Sequence, residues 1–260
     1  DLGLFKNPLN ALLLCVIFED LDGNLPSNRT KLYVEFVILI LRHYESKNGL
    51  SFRDKNRLLV YKKELMILGN SALDSLRKQE LYFEDHKGEI GEILLMKFGF
   101  LSIQSGFSKR APYYRYGFLH KSFQEFFAGY FLAFSIIDDV MPFHSVLTDP
   151  RYMDELFNVF KFMCGIVAQR SEETVVRIVQ SIASILNETG RTSDKYDLHL
   201  WFAHQFINEC KTYPGDLYRR LIRTLPLKGK LIVTRESRNS TRDSIVDPRN
   251  SENRVSSRVL

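Results

Sequence analysis

The stretch from Tyr116 to Ala133 restricts what this chain can become more than any other. Its first part alternates. Tyr116, Phe118 and His120 fall on one face of an extended segment, and Gly117, Leu119 and Lys121 on the other. From Phe123 onward the period changes. Phe123, Phe126, Phe127, Tyr130, Phe131 and Phe134 recur at helical spacing, which predicts a helix with a wide apolar stripe. Ser122 and Glu125 stand three apart at the change of period. They fit a capping box, in which each side chain closes a free backbone N–H at the helix start. A strand therefore runs into a helix, with His120 at the junction. A helix N-terminus carries partial positive charge and unfilled N–H donors, so it favours an anion, and a histidine beside it can donate to that anion. A lone histidine in that place is most often a capping or packing residue.

The flanking sequence is mostly helical in pattern. Pro8 suits the first turn of a helix, where its missing N–H costs nothing, and an almost continuous apolar run follows to Phe18. Ser27 or Asn28 can cap a second helix through Leu32, Phe36, Val37, Ile40 and Leu41, stopped at Asn48-Gly49. Residues 58–79 read as one long helix, or two joined at Gly69-Asn70, and 80–89 as a polar bend. A short helix at 92–97 is closed by Gly99. Strands at 100–103 and 113–119 then flank a polar turn containing Lys109 and Arg110. Helices followed by a hairpin are the order of a winged helix. After a connector at 136–150, helices are expected at 152–169, from Ser171 to about Ile185, at 198–210 and at 217–225. The expected fold is mainly α. A helical domain at 1–50 is followed by a winged helix with a small β-hairpin at 51–136 and a second helical domain at 150–226. Residues 227–260 carry eight Lys/Arg against four acids with no apolar period, so they read as a disordered basic tail that holds most of the net charge of +5.

Composition adds little beyond this. Twenty Phe and twelve Tyr predict an aromatic-rich core. The longest apolar runs, 11–18 and 126–137, are too short to span a bilayer, so no membrane partner is expected. Cys15, Cys164 and Cys210 are far apart, odd in number and without metal-ligand spacing, which predicts reduced, buried thiols in a cytoplasmic protein. The chain opens in what reads as mid-domain sequence, so a fragment is expected.

The run Phe118-Leu-His120-x-Ser122-Phe-Gln-Glu-Phe-Phe-Ala128 resembles the winged-helix motif of NACHT-domain NOD-like receptors, the nucleotide-switched receptors of animal innate immunity. Asn7-Pro8-Leu9 is similar to the start of their first helical domain, and the helices after 150 match their second helical domain by pattern. The resemblance implies that His120 reaches the β-phosphate of ADP, that Pro8 packs on the adenine, and that the receptor closes over ADP and oligomerises in its ATP state. It further implies two partners in cis, a NACHT core upstream and leucine-rich repeats in the parent protein, and a homo-oligomer when active.

No G-x-x-x-x-G-K-[ST] loop and no acid cluster for Mg²⁺ occur in the sequence, so ADP or ATP and its Mg²⁺ would be held mainly by the core, and this chain is not expected to be an enzyme. His43, His86, His144, His199 and His204 fit no ligand or triad spacing. Two other functions stand beside the switch. One is a DNA-binding winged helix, disfavoured because the 92–97 helix offers only Glu92 and Lys97 on an apolar body. The other is a nucleotide-independent helical scaffold.

Overall fold

The computed structural model describes residues 8–50, 56–84, 94–105, 114–188 and 194–211. The helical period after Phe123 becomes α6 (Lys121–Ile137). Its burial is wider than a stripe: Gln124, Glu125, Gly129, Leu132 and Ser135 are buried along with Phe123, Phe126, Phe127, Tyr130 and Phe134. The cause is packing on two sides. Among the described residues, α4 (Lys62–Arg77) and α8 (Phe157–Arg170) make the most extensive helix contacts, both with α6.

Glycine sets both distances. A Cβ on Gly69 of α4 would lie 2.5 Å from the Phe127 carbonyl oxygen and 2.7 Å from the Phe131 Cβ. A Cβ on Gly129 of α6 would lie 2.6 Å from the Phe162 Cβ and 2.9 Å from the Val159 carbonyl oxygen. Gly69 is thus a packing residue inside one helix, and of the two readings of 58–79 the joint at Gly69-Asn70 is excluded. The break falls earlier, at Tyr61, between α3 (Arg57–Val60) and α4.

The expected hairpin forms from β2 (Leu101–Ser105) and β3 (Tyr114–Phe118), with Leu101 opposite Phe118 and Ile103 opposite Tyr116. A third strand, β1 (Tyr82–Glu84), lies where a polar bend was expected, and pairs antiparallel with the other edge of β3 to give the order β1-β3-β2. Three residues are too few to show an alternating pattern. Pairing decides the matter: Phe83 sits opposite Tyr116 and both are buried, while the Tyr82 ring lies against Gly117, where a Cβ would come within 2.6 Å of it.

The first two helices are α1 (Pro8–Asp20) and α2 (Arg29–Lys47), the latter capped by Asn28, whose side chain accepts from the Lys31 N–H at 2.7 Å. α5 (Leu94–Phe98) precedes the hairpin. The connector expected at 136–150 contains the end of α6 and a short helix, α7 (His144–Leu147). A single 3-10 turn, Pro150–Met153, takes Tyr152, so the next helix starts at Phe157 and not at Tyr152. α9 (Glu172–Glu188) begins after Ser171, whose hydroxyl accepts from the Thr174 N–H, and α10 (Asp194–Lys211) follows. The helix expected at 217–225, the basic tail at 227–260, and Lys109 and Arg110 lie outside the described residues.

The architecture is mainly α with one small antiparallel sheet. Its buried apolar residues join into one aromatic-rich cluster running from α1 to α10. Tyr33 of α2 illustrates the continuity, with its ring 5.2 Å from Phe36, 5.5 Å from Phe123, 6.0 Å from Phe126 and 5.0 Å from Phe162. Cys164 and Cys210 are buried as expected, and all three cysteines are free. Cys15 is exposed, because it shares the outward face of α1 with Leu12 and Val16.

Candidate functional site

Strand β3 delivers the chain to α6 through Leu119 and His120. Leu119 is exposed and its N–H donates to the Phe100 carbonyl at 3.1 Å, which ties the junction to the start of β2. His120 is half-buried with extended backbone (φ −156°, ψ 146°), and it is the N-cap of α6. Its Nδ1 accepts from the Ser122 N–H at 3.1 Å and lies 2.6 Å from the Ser122 hydroxyl. Its carbonyl accepts from the Phe123 N–H at 3.0 Å.

This corrects the expected capping box. Ser122 is the second residue of the helix and its side chain serves the cap, while Glu125 lies one turn into the helix and cannot reach back. Histidine takes the capping place because its ring nitrogen meets the N–H that a Ser or Asn oxygen would otherwise meet.

Glu125 is instead drawn to a polar cluster that sequence reasoning did not find. Its carboxylate lies 3.8 Å from the Arg29 guanidinium and accepts from the Asn158 amide at 3.2 Å. Arg29 also donates to the Asn158 side-chain oxygen at 2.9 Å and lies over the Phe162 ring at 5.1 Å. Beside it, Lys161 pairs with Glu209 at 3.4 Å, and burial raises the Glu209 carboxyl above its ordinary range against the opposing pull of Lys161. These groups line or border a cavity of about 340 Å³ at the N-terminus of α2. The cluster draws on α2, α6, α8 and α10, elements far apart in sequence, so no local spacing announces it. Its charges are paired with one another, which holds the helices together.

Gln124 is buried on the same turn and donates to the Ser75 hydroxyl at 2.8 Å and to the Glu80 carbonyl at 3.3 Å, fixing the start of α6 to the end of α4. Near the middle of α6, the Tyr130 hydroxyl donates to the Leu58 carbonyl at 2.7 Å, and burial pushes the phenol well above its ordinary pKa. The helix that carries His120 is therefore pinned by hydrogen bonds at two levels.

Pro8 is exposed at the first position of α1, which packs on α2. No hydrogen bond, ion pair or ring contact joins Pro8 to His120 among the described residues. The two positions singled out by the sequence are thus on different elements, the first position of α1 and the N-cap of α6. Among the described residues no group of three or more His, Cys, Asp or Glu could hold a metal ion, and no helix is long and apolar enough to cross a membrane.

No protein-family model matches the chain, and no curated protein is significantly similar to it.

Proposed function

We propose that the chain is the regulatory part of an intracellular nucleotide switch of the NOD-like receptor kind. On this reading it closes over ADP held by a NACHT core in the same polypeptide, and exchange for ATP releases it to oligomerise. The observation that carries the reading is the state of His120. The ring is held by its Nδ1 at the start of a seventeen-residue buried helix, and its Nε2 has no hydrogen-bond partner among the described residues. An N–H at the positive end of a helix is suited to a phosphate oxygen. The exposed Pro8 supplies an apolar face to a second part of a nucleotide. DNA binding draws little support from α5, which is five residues long and offers Lys97 as its basic group.

A hydrogen bond to a charged group contributes about 1.5–3 kcal/mol, so loss of the His120 contact should weaken ADP retention by roughly 10- to 150-fold. The test is to express the chain together with its upstream sequence, as wild type and as His120→Leu, and to quantify bound ADP by chromatography alongside self-association by light scattering. The variant should carry less ADP and self-associate more. Equal ADP and equal mass in the two proteins would overturn the proposal.

A further inference from the structure

The seams around α6 are closed in different ways. Against α4 and α8, glycines bring backbone close and aromatic rings fill the remainder. α2 meets α6 and α8 through polar groups at its start. Its first residue, Arg29, bridges both elements, lying 3.8 Å from the Glu125 carboxylate of α6 and donating to the Asn158 side-chain oxygen of α8 at 2.9 Å. Its second, Thr30, is buried against Gly165 of α8, where a Cβ would fall 2.7 Å from the Thr30 Cβ. One turn on, the Tyr33 ring adds an apolar contact with Phe162. The cavity of about 340 Å³ lies along this same seam, so the seam is incompletely filled.

The opposite end of α2 is fastened to other elements. Buried Glu45 accepts from the Arg57 Nε at 2.8 Å, and the Tyr44 ring meets the Phe98 ring at 5.0 Å. α2 is thus held at its C-terminal end by α3 and α5, and at its N-terminal end by α6 and α8. The N-terminal seam is the easier one to part. The Arg29 and Lys161 side chains are already 31% and 39% exposed, so they regain hydration readily, and beside a cavity fewer packed contacts are lost. Polar interfaces between units of one chain are those at which the units move.

We infer that the start of α2 is a releasable clasp: Arg29 and Thr30 fasten the helical hairpin α1–α2 to α6 and α8, and freeing them lets the hairpin swing about the C-terminal end of α2. As a regulatory contact, the clasp deepens the switch reading above and rests on it, holding the closed form until it parts. The swing itself does not rest on that reading.

Two substitutions release the clasp by different means. Arg29→Glu puts an acid in the first turn of α2, which favours the helix itself, but sets it against Glu125. Gly165→Ala drives a methyl into Thr30. Arg42→Ala is the control, because its 2.9 Å ion pair with Asp20 lies inside the hairpin.

The swing is read by pulsed electron resonance between spin labels on the exposed Cys15 of α1 and on a Glu173→Cys background in α9. Wild type and Arg42→Ala should give one distance. Arg29→Glu and Gly165→Ala should each add a longer one, with helix content by circular dichroism unchanged. Loss of a hydrogen bond to a charged group should raise the open fraction roughly 10-fold or more. Should Arg29→Glu fail to fold, Arg29→Gln, which removes the charge without opposing Glu125, replaces it. A single unchanged distance in the folded variants, even with lowered melting, would overturn the clasp. In the longer chain with its upstream sequence, the same variants should self-associate more than wild type. Opening without added self-association would refute the regulatory role and leave the swing standing.

Discussion

Replacing Gly129 by alanine tests the central claim about packing, because local and tertiary effects have opposite signs. In an ordinary helix interior the change stabilises by about 1 kcal/mol. In α6 the new methyl would stand 2.6 Å from the Phe162 Cβ, 2.9 Å from the Val159 carbonyl oxygen and 3.0 Å from the Met163 nitrogen. Carbon atoms pack at about 3.5–4.0 Å, so α6 and α8 would have to separate by ~1 Å. Two of the three obstructing atoms are backbone, so no side-chain rotation relieves the clash. Separation opens gaps around Phe126 and Phe162, whose rings meet at 5.4 Å, and a gap of that size forfeits about a quarter to a half of each lost contact. Overpacking of this kind costs about 1–3 kcal/mol, and more where backbone must move. The net expectation is a loss of roughly 1–2 kcal/mol, or a thermal midpoint lower by about 2–8 °C. Differential scanning calorimetry of the purified variant decides the sign. A midpoint equal to or above wild type would mean that α6 and α8 do not approach through Gly129.

Four further outcomes are expected. Phe127→Ala removes a fully buried ring that meets Phe100 at 4.8 Å, and should cost about 3–5 kcal/mol in thermal unfolding; a thermal midpoint within a degree or two of wild type would refute its burial. Arg29→Met leaves Glu125 buried with Asn158 as its remaining partner and should destabilise by about 1–3 kcal/mol, whereas Glu125→Gln, which removes the buried charge and keeps one acceptor oxygen for the Asn158 amide, should cost less; the opposite order in chemical denaturation would refute the pairing. One thiol, Cys15, should react with a chromogenic disulfide in the folded protein and three after unfolding, since Cys164 and Cys210 are buried and burial pushes the Cys210 thiol up to about 12; three reactive thiols in the native state would contradict this. The chain by itself should bind ADP or ATP no tighter than millimolar and release no phosphate, because two contacts fall short of the ~4 kcal/mol that even a millimolar complex needs; micromolar binding in a calorimeter would reveal a nucleotide site elsewhere.

What the sequence determined by itself is the local order of elements near its densest pattern. The change of period at His120 marks the passage from β3 to α6, and Asn28, Ser171 and Gly99 mark helix ends, because caps and positive-φ turns are satisfied within a few residues. The site residue His120 was legible for the same reason, although its neighbour Ser122 was given its capping role. Period alone cannot say which of two adjacent polar side chains takes the first N–H.

Tertiary structure decided the remainder. Gly69 looks like a helix joint in isolation; the nearness of the Phe127 carbonyl makes it a point of contact. Tyr82–Glu84 becomes a strand only because β3 has a free edge beside it. Gln124, Glu125 and Ser135 are polar and fall outside the apolar stripe, yet they are buried because α4 and α8 close over α6 from both sides. Glu125 finds Arg29 ninety-six positions earlier and Asn158 thirty-three later, a match made by the packing of α2, α6 and α8. Local patterns report which backbone groups are satisfied nearby. Partners for a buried charge or a bare glycine come from chain distant in sequence, and only the packed fold brings them within reach.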